Sequence, residues 1–318
     1  MLTFRFEDRG RLAGVRLYQE VGLEEVDFRP VPGGWELTVP RPAVHRMEYL
    51  FELLHRDGRR ETVLDPGNPR RVAGVFGDKS VIEFPEYSPP GWLTAPVAPG
   101  EYATDLPGVT LWAPADGSGA LPLLLVHDGP EYDALACLTR YLAAGLEGGW
   151  LPPVRAGLLH PGDRNATYSA DDSYADSLAA LTAKIPATVR VGMGTSLGAL
   201  AMLHAHRRHP RLVDALFLQS GSYFHPRFDS HERRFPGYEP IVAFVRSVLE
   251  GTAHRPVPTV MTCGAIEENI HNNRLMAAAL RAQGYPVTFR EVPDVHNYTG
   301  WRDAFHPHLT RLLREVCP

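Results

Sequence analysis

Apolar residues recur along this chain in two rhythms. Up to about residue 88 they alternate with polar ones: Trp35, Leu37 and Val39 share one face of WELTV, and Met47, Tyr49, Phe51 and Leu53 share one face of RMEYLFELL. A two-residue period is that of a strand with one side on a core. Asp57-Gly58, closing the second run, predicts a hairpin turn. Pro66 and Pro69 in VLDPGNP exclude regular pairing, so that stretch is expected to be loop. Residues 1–88 are therefore expected to form a small all-β sandwich domain.

Pro85, Pro89, Pro90, Pro96 and Pro99 crowd the next stretch, which predicts a stiff linker over 89–104 and a domain boundary there. From residue 105 to 318 short apolar runs alternate with helical spacing. Strands are expected in LPLLLVHDG, VRAGLL, TVRVGMG, ALFLQSG, PTVMTCG and VTFREV, with helices over 133–146, 174–184, 197–208, 239–250, 272–283 and 301–316. Such alternation predicts an α/β domain, a mostly parallel sheet with helices on both faces. Ligands of such sheets bind where the strands end at their carboxyl ends, so the loops after the strands are where chemistry is expected.

Composition narrows the classes. The chain has 318 residues, 44% of them hydrophobic, enough for a sizeable core. With 32 basic and 37 acidic residues the net charge is −5, which offers no bulk attraction to nucleic acid or to an anionic membrane. The first dozen residues are charged throughout and no apolar run has the length of a membrane span, so a cytoplasmic location is expected. Cys137, Cys263 and Cys317 are far apart, which predicts free thiols rather than a zinc or redox pair. His204, His206 and His209 do not share one helical face, so no metal is expected on them, and they are read as exposed or helix-end residues.

Candidate chemistry centres on MGTSLGAL. Ser196 stands between Gly194 and Gly198, where the strand TVRVGM stops and the helix LGALAMLHAHRRH begins. This strand, sharp turn and helix is the context a G-x-S-x-G nucleophile requires, and it aims the N–H of Leu197 at a developing oxyanion. A serine needs a base, and the base needs a group that holds its tautomer. His296 follows the strand VTFREV, and Glu267 and Glu268 follow PTVMTCG, so serine, acid and histidine stand in hydrolase order. Glu267 is preferred as the acid because it is nearer the strand end, with Glu268 and Asp294 as alternatives.

The block GTSLGALAMLHAHRRHPRLVDALFLQSGSYF resembles the nucleophile region of the enterochelin-esterase-like branch of the esterase D superfamily. HNYTGWRDAF is similar to that branch's H-D-W-x-x-W-R box, VHDGPEY to its D-G loop and CGAIEENIHNNRLM to its acid position. The resemblance implies an α/β-hydrolase fold over about 105–317, an immunoglobulin-like, early-set sandwich before it, and a serine esterase working through Ser196, His296 and Glu267 or through the serine and histidine alone. In that superfamily the second oxyanion donor follows the D-G pair, where this chain has Pro130, which lacks an N–H; Gly129 or Glu131 is expected to donate instead. Arg164 stands in the family's R-x-x-E-Y box, with Thr167 in place of the glutamate, and is left for a substrate or a structural carboxylate. Trp301 of the histidine box and Arg227, in the excursion after Gln219, complete the expected substrate contacts.

The expected partner is a small-molecule ester, hydrolysed without metal or organic cofactor, with a siderophore ester as one option. An acyltransferase using an alcohol in place of water and a non-catalytic binding protein of the same fold are the alternatives. Oligomeric state is open.

Overall fold

The computed structural model describes residues 1–115, 120–253 and 255–317. The chain divides into two compact units: Met1–Ser88 with Gly264–Glu267 and Pro293–Asn297 form the first, and Pro89–Cys263, Glu268–Val292 and Tyr298–Pro318 the second. Two short segments from late in the chain thus belong to the first unit.

The first unit has two antiparallel sheets. One orders β1 (Leu2–Glu7), β4 (Gly34–Val39) and β3 (Arg29–Val31) as β1-β4-β3. The other runs β2 (Leu12–Gln19), β5 (Arg46–His55), β8 (Lys79–Glu83), β7 (Arg71–Val72), with β6 (Arg60–Val63) also on β5. Both contribute to one apolar cluster, Phe4, Leu37 and Val39 from the first and Val15, Met47 and Phe51 from the second. Rings meet edge to face there, Phe4 on Tyr49 at 5.0 Å and Phe28 on Phe51 at 5.2 Å.

The second unit is built on an eight-stranded sheet of order β16-β15-β14-β13-β11-β12-β10-β9. Its strands are β9 (Glu101–Ala103), β10 (Val109–Ala113), β11 (Leu123–Val126), β12 (Arg155–Leu159), β13 (Arg190–Thr195), β14 (Ala215–Gln219), β15 (Thr259–Gly264) and β16 (Val287–Val292). Strands β12, β11, β13, β14 and β15 are parallel, and β10 joins antiparallel to β12 and β9. Period-two geometry sends Leu123 and Leu125 into one core and Leu124 and Val126 into another. The first core packs α4 (Asp172–Thr182), α5 (Leu197–Arg208), α6 (Tyr238–Glu250) and α7 (Ile270–Ala282); the second packs α1 (Gly129–Ala136), α2 (Leu138–Glu147), α8 (Tyr298–Asp303) and α9 (Thr310–Val316). A one-turn helix, α3 (Arg164–Thr167), follows β12.

Four details differ from expectation. The helix expected over 133–146 is two, broken at Cys137 with φ 53°. That over 301–316 is interrupted at His306, whose extended backbone is what the following Pro307 imposes. The proline-rich segment is not a free connector, since Trp92 meets Tyr141 edge to face at 5.3 Å and Arg140 donates to the carbonyls of Leu93 and Ala95. His204 and His206 are buried rather than exposed: Asp172 lies 3.1 Å from one Nε2 and the Arg255 carbonyl 3.1 Å from the other. Cys263 and Cys317 are buried, Cys137 is half-buried, and all three are free thiols. Among the described residues no helix is long and apolar enough to cross a membrane.

Candidate active site

Ser196 is the only residue between β13 and α5, with φ 55° and ψ −125°. That backbone costs a non-glycine residue roughly 1–3 kcal/mol and persists only where its surroundings hold it. Here the Ser196 N–H donates to the Gln219 carbonyl at 3.0 Å, and its own carbonyl accepts from Ala199, Leu200 and Ser222 at 3.1, 3.2 and 3.1 Å. The flanking glycines are required by contact: a Cβ on Gly194 would lie 2.4 Å from the Gly198 carbonyl oxygen, and one on Gly198 would press on His127 at 3.0 Å. Leu197 opens α5, so its N–H lies in the first turn, where helical partners are lacking and the dipole is positive.

A second hydroxyl lies beside that of Ser196. Thr195 and Gln219 are register partners in the parallel pair β13 and β14, so the loops after them run side by side. Ser222, buried in the second loop, has its Oγ 3.0 Å from Ser196 Oγ. Its position just past a strand end was the available sequence signal, in the SGS that follows ALFLQ.

The loop after β11 is shaped by Asp128, which is buried with φ 51° and takes two hydrogen bonds from Arg164, Nε to Oδ1 at 2.8 Å and Nη2 to Oδ2 at 2.9 Å. Arg164 thus serves the structural carboxylate of its two expected roles. Gly129 and Glu131 stand in the first turn of α1 on either side of Pro130, and Gly129 is packed so closely that a Cβ would meet Leu158 Cα at 2.3 Å. Buried His127 beside them has its basicity lowered to about 3 by desolvation, so it is a neutral ring with Nδ1 2.9 Å from the Gly198 carbonyl.

Two expected substrate contacts are placed differently from each other. Trp301 is a correction: it is 6% exposed in the core, its indole N–H donates to Ser220 Oγ at 3.0 Å, and its carbonyl accepts from Gln219 Nε2. Arg227 is exposed, 5.5 Å from the ring of Phe228, in an excursion tied down through Asp229, which accepts from His225 N–H at 2.7 Å and Asn272 Nδ2 at 3.2 Å.

In the first unit, Glu267 Oε1 lies 3.5 Å from His296 Nδ1 and Glu267 Oε2 accepts the Gly264 N–H at 3.1 Å. Gly264 is what lets the two segments close up, because a Cβ there would lie 2.3 Å from the Asp294 carbonyl. Glu268, by contrast, is exposed and sits 3.5 Å from His231. Asp294 is turned away to Arg46 and Asn297, and burial pushes its carboxyl up to about 7 against the pull of the Arg46 charge. His231, Glu232 and Glu268 gather ligand atoms within 4.8 Å of one another at the surface, as exposed acidic groups commonly do.

A mixed α/β sheet carrying a strained serine at a strand end is the architecture of many esterases. No family model and no curated protein matches the chain, but solved structures share its fold. The ferric enterobactin esterase from Salmonella typhimurium superimposes with a TM-score of 0.76 and 18% identity, over 98% of this chain and 93% of its own. The enterobactin esterase FES from Shigella flexneri, solved in the presence of 2,3-dihydroxy-N-benzoyl-glycine, gives 0.74 and 19% over 98% and 93%. A ferulic acid esterase gives 0.51 and 16% over 68% and 98%. Nearly the whole chain therefore has the fold of the enterobactin esterases.

Proposed function

We propose that this protein is a serine esterase. The carrying observation is the Ser196 elbow, a strained backbone fixed by four hydrogen bonds. In this reading Ser196 Oγ attacks an ester carbonyl while His296 Nε2 takes its proton, the alcohol leaves with that proton, and water, activated by the same histidine, releases the acid from the acyl-enzyme. Glu267 holds the imidazole through Nδ1, and the N–H of Leu197 with that of Gly129 or Glu131 receives the oxyanion. No metal or organic cofactor enters these steps.

The substrate we infer is a small soluble ester. The fold partners named as enterobactin esterases favour a catecholate ester, and exposed Arg227 suits its anionic group. We read the first unit as an immunoglobulin-like, early-set module. An acyltransferase differs only in the acceptor of the second step, so product analysis with added alcohol separates the two.

The test is fluorophosphonate labelling with hydrolysis of p-nitrophenyl acetate and butyrate, then of enterobactin. Labelling and hydrolysis are expected in the wild type, lost in Ser196→Ala and reduced to a small residual rate of hydrolysis in His296→Ala. A folded wild type that neither labels nor hydrolyses leaves the binding-protein alternative.

A further inference from the structure

Arg46 and Glu48 occupy the positions of β5 that alternate with Met47 and Tyr49, so they lie on the face turned away from the aromatic core. Such a face is ordinarily left to water. Here Arg46 is 2% and Glu48 8% exposed. Arg46 meets Asp294 and Asn297 of the segment Pro293–Asn297, which belongs to the same compact unit, and Tyr87, whose ring centre is 5.8 Å away, while Lys79 Nζ lies 3.7 Å from Glu48.

The residues on both sides of His296 in that segment are held. The Pro293 carbonyl accepts the His45 N–H at 2.9 Å, and Val295 is buried in the apolar cluster of the unit. Asp294 Oδ1 accepts from the Val295 N–H and from Asn297 Nδ2, both at 2.8 Å. Arg46 Nη1 ties the ends together: it donates to Asn297 Oδ1 at 3.3 Å, lies 3.8 Å from Asp294 Oδ2, and is itself fixed by Glu48 Oε1 at 2.8 Å. His296 stands between these pinned neighbours, with its Nδ1 3.5 Å from Glu267 Oε1 and its side chain 27% exposed.

A buried ion pair adds little net stability compared with apolar residues of similar volume, because desolvation offsets the attraction. What it does supply is a directional constraint on the groups it bonds. We infer that Arg46 is a positioning residue for His296, acting through Asn297 and Asp294. This rests on the reading of His296 as the base.

The test is a double-mutant cycle on the full chain, with p-nitrophenyl butyrate as substrate and thermal unfolding followed in parallel. Arg46→Met is expected to lower kcat by about 10²-fold with KM little changed, as a base displaced by about 1 Å would. Arg46→Lys, which keeps the charge and an N–H donor, is expected to recover part of that loss. In a His296→Ala background Arg46→Met should have no further effect, since a residue acting through His296 loses its influence with it. An equal fall in both backgrounds, or an unchanged kcat in folded Arg46→Met, overturns the inference and leaves the esterase reading intact. Wild type and His296→Ala of equal activity overturn both. If Arg46→Met does not fold, Arg46→Lys in the two backgrounds reads the same non-additivity.

Discussion

Glu267 approaches His296 with Oε1 3.5 Å from Nδ1, while its other oxygen is held by the Gly264 N–H. In the proposed mechanism this carboxylate would select the tautomer that carries its proton on Nδ1 and accepts at Nε2. Glu267→Gln is expected to lower kcat by ~10⁴-fold, as loss of a triad acid does. Glu268→Gln, altering an exposed residue, should leave it unchanged. Steady-state kinetics on p-nitrophenyl butyrate decide, and equal losses in the two variants would remove Glu267 from the assignment.

Ser222 shares a hydrogen bond of 3.0 Å with the Ser196 hydroxyl. One neutral bond contributes about 1 kcal/mol, or roughly a five-fold change in rate. Ser222→Ala should therefore slow fluorophosphonate labelling by about that factor without abolishing it. Complete loss of labelling in a folded variant would mean that Ser222 does more than orient its neighbour.

Arg164→Met leaves the buried carboxylate of Asp128 without its guanidinium. Breaking a buried pair costs about 3–5 kcal/mol, and the partial exposure of Arg164 reduces that to about 2–4 kcal/mol. Urea unfolding measures it. A variant of undiminished stability with a raised KM would instead return Arg164 to the substrate.

Burial lowers His127 to about 3 and His206 to about 4, both below the ~6.5 of the unfolded chain. Each is neutral when folded and takes up a proton on unfolding, so its contribution is present above pH ~6.5 and is lost as pH falls towards 4 and 3. Asp294 acts in the opposite sense: raised to about 7, it favours the folded state as pH falls through 7. Two histidines outweigh one carboxyl, so the melting temperature should drop between pH 6 and 4. The drop should be shallower in His206→Asn, and an unchanged slope would refute the assignment.

Several features were legible in the chain alone because they depend on neighbours in sequence. Period-two runs and helical spacing marked the strands and helices, and Gly194-x-Ser196-x-Gly198 marked the elbow, since its sterics lie within five residues. The strand ends likewise singled out Glu267 and His296. Other features depend on which surfaces cover one another, and no local pattern carries that. Nothing in sequence near Arg46 signals that Asn297, 251 residues further on, accepts a hydrogen bond from it. Trp301 and Arg227 look alike as substrate contacts in sequence, yet one is in the core and the other in water. Arg164 finds Asp128 only because β11 and β12 are parallel neighbours. Periodicity reports that a residue faces a side, and only the packed chain decides what lies on that side.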